Sequence, residues 1–155
     1  MKKIMFNERY GLQQSVLDRI KNMTRRVIKG DFEDINAYHA NGGWHFIADT
    51  KDGDFVEVKP AYEVGEDVAV AQCYEDAILD VGEEEWNKQH KWYCIENLRK
   101  RAGLHNKMFV SADLMPHYIH ITKLKLERLQ DISDEECLRE GVVKWMDGYI
   151  VTGIL

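Results

Sequence analysis

The sequence predicts an α+β fold that is mainly β: a small β-barrel with flanking helices and one helical insertion. Three observations predict it. Strand-like runs recur with hairpin turns between them, at Thr50-Lys51-Asp52-Gly53 and at Met146-Asp147-Gly148. A continuous run of small apolar residues, Val68 to Cys73, suits a buried strand. Residues 75–103 interrupt the β pattern with a helical composition of their own. Several strands paired non-locally through hairpins point to a barrel. The 155 residues suffice for one domain with a real core, and neither a repeat nor a low-complexity segment divides them.

Taken in order, Lys2 to Phe6 reads as a short strand. Gly11 to Ile20 reads as a helix, because Leu12, Val16, Leu17 and Ile20 share one apolar face. Thr24 to Ile28 reads as extended, being β-branched at Thr24, Val27 and Ile28. Asn41-Gly42-Gly43 is a break, followed by strands at Trp44 to Asp49 and Asp54 to Lys59. Pro60 ends the second of these, since it cannot donate to a ladder. Gly65-Glu66-Asp67 turns the chain into the Val68 strand. Glu83-Glu84-Glu85 opens a helix that runs through Arg101, with acids first and bases last as the helix dipole favours. Trp86, His90, Tyr93 and Asn97 lie on one side of it. This insertion packs on the core as an ordinary helix or covers a pocket as a lid, packing being the plainer choice. Met108 to Ser111 resumes β character, and Leu114-Met115-Pro116 makes a corner. Ile119 to Leu129 alternates apolar and polar residues with one slip near Thr122 that suits a bulge. Ser133-Asp134-Glu135-Glu136 is a capping box, with Ser133 as the cap and Glu136 reaching back. Its helix runs to Glu140 and ends at Gly141. Val142 to Trp145 and Tyr149 to Ile154 form a last hairpin.

The net charge of −6 argues against broad binding to nucleic acid. Its distribution is uneven. Residues 1–30 carry eight Lys or Arg against Glu8 and Asp18, a local +6, and the remainder carries thirteen against twenty-five, a local −12. A basic site on an acidic body suits one anionic ligand or a short backbone segment; equally, the cations can pair with the acidic remainder. No apolar run reaches the roughly 20 residues of a membrane helix. The apolar start stops at Asn7-Glu8-Arg9, too early for a signal peptide, so the expected location is cytoplasmic. Cys73, Cys94 and Cys137 are far apart and form no CxxC pair, which supports neither a zinc ribbon nor a disulfide framework. The histidines lack ligand spacing: His117 and His120 are expected on opposite sides and His39 and His45 flank a glycine turn, so no metal and no cofactor is expected. Trp44, Trp86, Trp92 and Trp145 are each able to stack a base, although a core or rim position is commoner.

The densest chemistry lies in Leu17 to Ile28. Lys21 and Thr24 are three apart across an expected helix-to-strand junction, where both can face one cavity. A threonine hydroxyl needs a proton acceptor to become a nucleophile. A lysine serves if burial or a neighbouring cation, Arg25 or Arg26, lowers its proton affinity. From spacing alone the plainer account is a solvated amine and an ordinary strand residue. On a strand Arg25 and Arg26 would point to opposite faces, so at most one meets the pocket, where its fork suits a phosphate or carboxylate.

Leu17-Asp18-Arg19-Ile20-Lys21-Asn22-Met23-Thr24-Arg25-Arg26 resembles the signature of ASCH domains, which are similar to PUA domains. Tyr62-Glu63-Val64-Gly65-Glu66-Asp67-Val68 resembles that family's entry to a central strand. Leu114-Met115-Pro116, Ile119-x-Ile121-Thr122 and Glu127 to Ser133, closing on Glu140-Gly141, resemble its later strand and helix. The likeness spans most of the chain outside residues 75–103 and is nearest to ASCH proteins of gut bacteria and their phages. It implies a PUA-like small β-barrel with a cleft, and binding of RNA or a nucleotide-like ligand around Lys21, Thr24, Arg25 and Arg26. A few small ASCH enzymes are amidohydrolases that deacetylate acetylcytidine. By that resemblance Thr24 would be the nucleophile, Lys21 its base, and Glu140 a proton shuttle or water activator.

The chain departs from the family pattern. Arg19 stands where the family has Gly, Asn22 replaces a Thr, and the insertion is absent from the minimal amidohydrolases. Relatives continue through another helix and a final barrel strand, so the last strand is expected to be missing here. An apolar edge at Tyr149 to Leu155 would then remain, and such an edge tends to pair. The expectation is a homodimer through this C-terminal edge, or a natural chain that runs further. Two functions follow: an RNA- or nucleotide-binding module, or an amidohydrolase acting on an N-acylated pyrimidine nucleoside.

Overall fold

The computed structural model describes residues 1–155 apart from 29, 31, 41, 42, 147 and 152–155, and it leaves undescribed the side chains of residues 43, 44, 129, 143, 145 and 148–151. The break at Asn41-Gly42, the turn residue Asp147, the apolar end Thr152 to Leu155 and the side chains of Trp44 and Trp145 therefore lie outside the described residues.

The fold is built on β5 (Asp67–Val70). It pairs in parallel with β1 (Lys3–Ile4) and antiparallel with β6 (Tyr118–His120). As the central strand of this sheet it is covered on both faces, which is why its sequence is apolar without alternation. The period of two still sorts its side chains. Val68 and Val70 join Ile4 and Phe6 in one cluster, with Leu12, Val16 and Leu17 of α1 (Leu12–Leu17) packed on it. Ala69 and Ala71 turn to the other side, into a cluster with Tyr74, Ala77, Ile78, Trp86 and Leu98.

That second cluster is made by residues 74–98. They form α2 (Tyr74–Val81), α3 (Glu83–Gln89) and α4 (Ile95–Leu98) rather than the single helix expected from Glu83 to Arg101. The helix breaks at His90, whose backbone leaves the helical region at φ −120° and ψ 61°. The Trp86 indole N–H donates to the Tyr93 carbonyl at 2.9 Å, and this folds the chain back around the ring. Trp86 and Leu98 are fully buried. The segment is thus a wall of the core.

A second sheet, in the order β2 (Phe32–Ala40), β3 (Gly43–Thr50) and β4 (Phe55–Val58), is antiparallel throughout. The Thr50–Asp54 turn has Gly53 at φ +82°, as the Asp-Gly signal implies. Phe46 and Ala48, two apart on β3, are buried. β7 (Val142–Trp145) and β8 (Gly148–Val151) form a separate hairpin after α5 (Asp134–Arg139).

Several sequence expectations change. Among the described residues the three sheets do not close into a barrel, and helices with 3-10 turns hold more residues than strands, so the fold is mixed α+β. Thr24 to Ile28 forms no strand; the N–H groups of Asn22 and Met23, just before it, donate to the Arg139 carbonyl at the end of α5. Lys107–Phe109 is a 3-10 turn where β character was expected from Met108, and a second 3-10 turn, Ala112–Leu114, leads into the expected corner. The alternating run Ile119 to Leu129 is a strand only to His120, with a further pair of bonds between Ile121 and the residues Gly65 and Glu66. Beyond that point its alternate side chains serve ion pairs instead of a ladder. β2 was not foreseen. No helix among the described residues is long and apolar enough to cross a membrane.

Candidate functional site

The segment after α1 is turned inward by its own backbone. Asp18 ends the helix, and Arg19 takes φ +60°, in the left-handed region that glycine enters freely. Arg19 adopts this conformation at a cost of about 1 kcal/mol. The N–H groups of Ile20 and Lys21 then both donate to the Ser15 carbonyl at 2.9 Å. This tight turn buries Lys21 beneath α1. On its other side lies Gly141, at φ +90°. A Cβ at Gly141 would stand 3.5 Å from the Lys21 Cβ and 3.7 Å from the Ser15 Cβ, so the site is closely packed.

Lys21 reaches the end of α5. Its Nζ donates to the Glu140 backbone carbonyl at 2.8 Å, and the Glu140 Oε2 lies 3.8 Å away. The other carboxylate oxygen of Glu140 accepts from Arg25 Nη1. Arg25 also donates from Nε to Glu127 at 2.9 Å and from Nη2 to Glu136 at 3.0 Å. Lys125 closes the arrangement, donating to Glu136 at 2.8 Å and pairing with Glu127. Three cations and three carboxylates thus alternate through the site.

Burial lowers the proton affinity of Lys21 below that of an ordinary lysine; the Glu140 carboxylate raises it again, and Arg26 and Arg25 lower it further. Partial burial disfavours the Arg25 charge, but the bonds it donates to Glu140 and Glu127 more than compensate and keep it cationic. The Glu127 and Glu136 carboxyls are held below the usual range, first by hydrogen bonds from Lys125.

Lys21 and Glu140 therefore meet, with Arg25 between Glu140 and the two further glutamates. Thr24 does not join them: its hydroxyl accepts from Arg26 Nη1 at 3.0 Å, and among the described residues it makes no hydrogen bond to Lys21 or Glu140. Arg25 and Arg26 face different surroundings, although the backbone is not a strand. Arg25 is taken up by acids, whereas Arg26 is exposed and reaches the Met5 carbonyl at 3.3 Å. Met5 also borders an open cleft of about 470 Å³ lined by Phe6, Asn7, Glu8, Arg9 and Lys107.

Sequence reasoning missed Glu127, Glu136 and Lys125 as members of the site. A signal existed for two of the carboxylates: Glu136 and Glu140 are four apart, one helical turn, with Glu140 as the C-terminal cap of α5. The expected return of Glu136 to the Ser133 backbone does not occur, because its carboxylate goes to Arg25 and Lys125. Ser133 itself caps the helix, accepting from the Glu136 N–H at 3.3 Å. Cys73 plays a local part, accepting at the start of α2, with its thiol pushed up to about 11 by burial. Among the described residues no group of three or more His, Cys, Asp or Glu is arranged to hold a metal ion. No family model, curated protein or solved structure matches the chain.

Proposed function

We propose that this chain is an ASCH-like module that binds a short RNA segment or a nucleotide-like anion, with Arg26 and Thr24 at the rim of the site. The observation that carries this reading is the division of labour between two adjacent arginines. Arg25 spends its guanidinium on three carboxylates and Lys21 is buried against Glu140, so neither is offered outward. Arg26 is exposed, rests on Thr24, and stands over Met5 beside the cleft. A fork-shaped cation with a neighbouring hydroxyl suits a phosphate. The ligand set is thereby narrower than the four residues read from the sequence.

The test is binding of a short labelled RNA followed by fluorescence anisotropy across a salt series. Arg26→Ala should weaken binding uniformly across sequences and make the log–log salt dependence shallower by about one contact. Salt-independent binding, or wild-type affinity in Arg26→Ala, would overturn the reading. The proposed module has a PUA-like arrangement whose edge at the C-terminal hairpin is completed by a second copy.

One observation favours the amidohydrolase reading: a buried lysine of lowered proton affinity sits beside a carboxylate. For that chemistry the Thr24 hydroxyl must leave Arg26 and turn to Lys21. Its oxygen would attack the acyl carbon and its proton would pass to Lys21 and then to the departing amine nitrogen. Water would release the acyl group as a carboxylic acid and restore Thr24. Turnover of acetylcytidine that is lost in Lys21→Ala and in Thr24→Val would establish this reading over simple binding.

A further inference from the structure

We propose that Arg25 is a positioning residue: by claiming one oxygen of Glu140 while anchored on Glu127 and Glu136, it keeps the Glu140 carboxylate from closing on the Lys21 amine. The geometry shows the competition directly. Lys21 Nζ makes its short bond, 2.8 Å, to the Glu140 backbone carbonyl, while the carboxylate of that same residue stays 3.8 Å away. The carboxylate is turned toward Arg25. Arg25 is not free to follow Glu140 inward, because its Nε and Nη2 are bound at 2.9 Å and 3.0 Å to acceptors on two other segments. Lys125 holds those acceptors in turn, bonding Glu136 at 2.8 Å and pairing with Glu127.

The groups that face Lys21 are Glu140, Arg25 and Arg26, and Gly141 packs against its stem. A buried amine with a close carboxylate is locked as an ion pair. A buried amine whose carboxylate is held back, with two guanidinium groups nearby, gives up its proton more readily. Arg25 acts on Lys21 in both ways, by its own charge and by its hold on Glu140. This goes beyond the binding reading and depends on the hydrolase reading only for what the amine is used for. The arrangement is testable without any ligand.

The experiment follows the Lys21 titration by NMR of protein carrying ¹³C,¹⁵N-lysine, with Lys21→Arg to assign the signal. In Arg25→Gln a nearby cation is lost and Glu140 is free to close on Nζ, so the Lys21 midpoint should move to higher pH. Arg25→Lys retains the charge without the three-way grip and should fall between wild type and Arg25→Gln. Glu140→Gln removes the carboxylate that Arg25 holds back and should move the midpoint to lower pH; adding Arg25→Gln to it should then raise the midpoint by clearly less than Arg25→Gln does with Glu140 in place. A role through charge or general packing alone would give the same rise in both backgrounds, so equal rises, or no rise in Arg25→Gln, would overturn the proposal. If Arg25→Gln fails to give a dispersed spectrum, Arg25→Lys takes its place in the same comparison: a smaller rise without Glu140 sustains the proposal and an equal or absent one ends it. Because no substrate is used, the outcome stands whether or not acetylcytidine is ever turned over.

Discussion

Lys21 and Glu140 stand 119 residues apart in the chain and meet at one hydrogen bond. Neither composition nor spacing connects such a pair; the resemblance to ASCH domains did. Arg25, Glu127 and Glu136 were less legible, because ion pairs between distant segments leave no local pattern. The site makes a definite statement about pH. The Glu127 and Glu136 carboxyls titrate lower in the folded chain than the ordinary 4.5, first through Lys125. The unfolded chain therefore takes up those protons first, so their stabilisation is present above about 4.5 and is lost as pH falls through the folded values. Lys21 works with the other sign of charge. Its folded value is lowered from 10.5, so the unfolded chain holds the proton longer and stability gains as pH climbs toward 10.5. Urea midpoints should accordingly fall on acidification below the carboxyl range, and Glu127→Gln/Glu136→Gln should flatten that fall. A steeper fall in the double variant would contradict this assignment. Gly141→Ala should cost about 1 kcal/mol in urea denaturation from its left-handed backbone, since the new methyl itself would meet the Lys21 stem only at ordinary contact distance.

Hairpins were the most legible elements. Asp52-Gly53 marked the β3–β4 turn, and in the last hairpin β7 has the bounds read for it while β8 already begins at Gly148, which was read as turn; Thr152 to Ile154 lie outside the described residues. β2 was hidden because Phe32–Ala40 is largely exposed and shows no steady alternation. The opposite error came after His120: apart from the slip near Thr122 the alternation continues, but it places Lys125 and Glu127 toward the charge network. Residues 83–101 read as one helix because the charge order ran smoothly across a break that the Trp86–Tyr93 bond imposes. That element carries a sharp prediction. Trp86→Ala removes a fully buried indole from the cluster around Ala77, Ile78 and Leu98 and should cost roughly 3–5 kcal/mol by chemical denaturation. A lid would lose far less, so a cost near zero would return the segment to that role. Ser133→Ala should cost about 1 kcal/mol through the lost cap of α5, the element that presents Glu136 and Glu140.

For the whole molecule, the continuous apolar run from Val68 marked a buried strand, and β5 lies there between two core clusters. The closed barrel was not legible, since strand-like runs alone do not say which edges meet. If a second copy completes the C-terminal edge, sedimentation should show a concentration-dependent dimer, and a monomer at every concentration would refute the pairing. The long separations in the site have one more consequence, for the order in which the chain folds. Arg25 meets Glu136 and Glu140 across 111 and 115 residues, and Lys3 grips the carbonyls of Met108 and Val110 across 105 and 107. Contacts of this kind are entropically late, whereas the helices around Trp86 close over a handful of residues. During synthesis Lys21 and Arg25 must wait for Glu136 and Glu140, at the two ends of α5, to leave the ribosome. Until then Lys21 lacks the Glu140 carbonyl that its amine bonds in the folded chain.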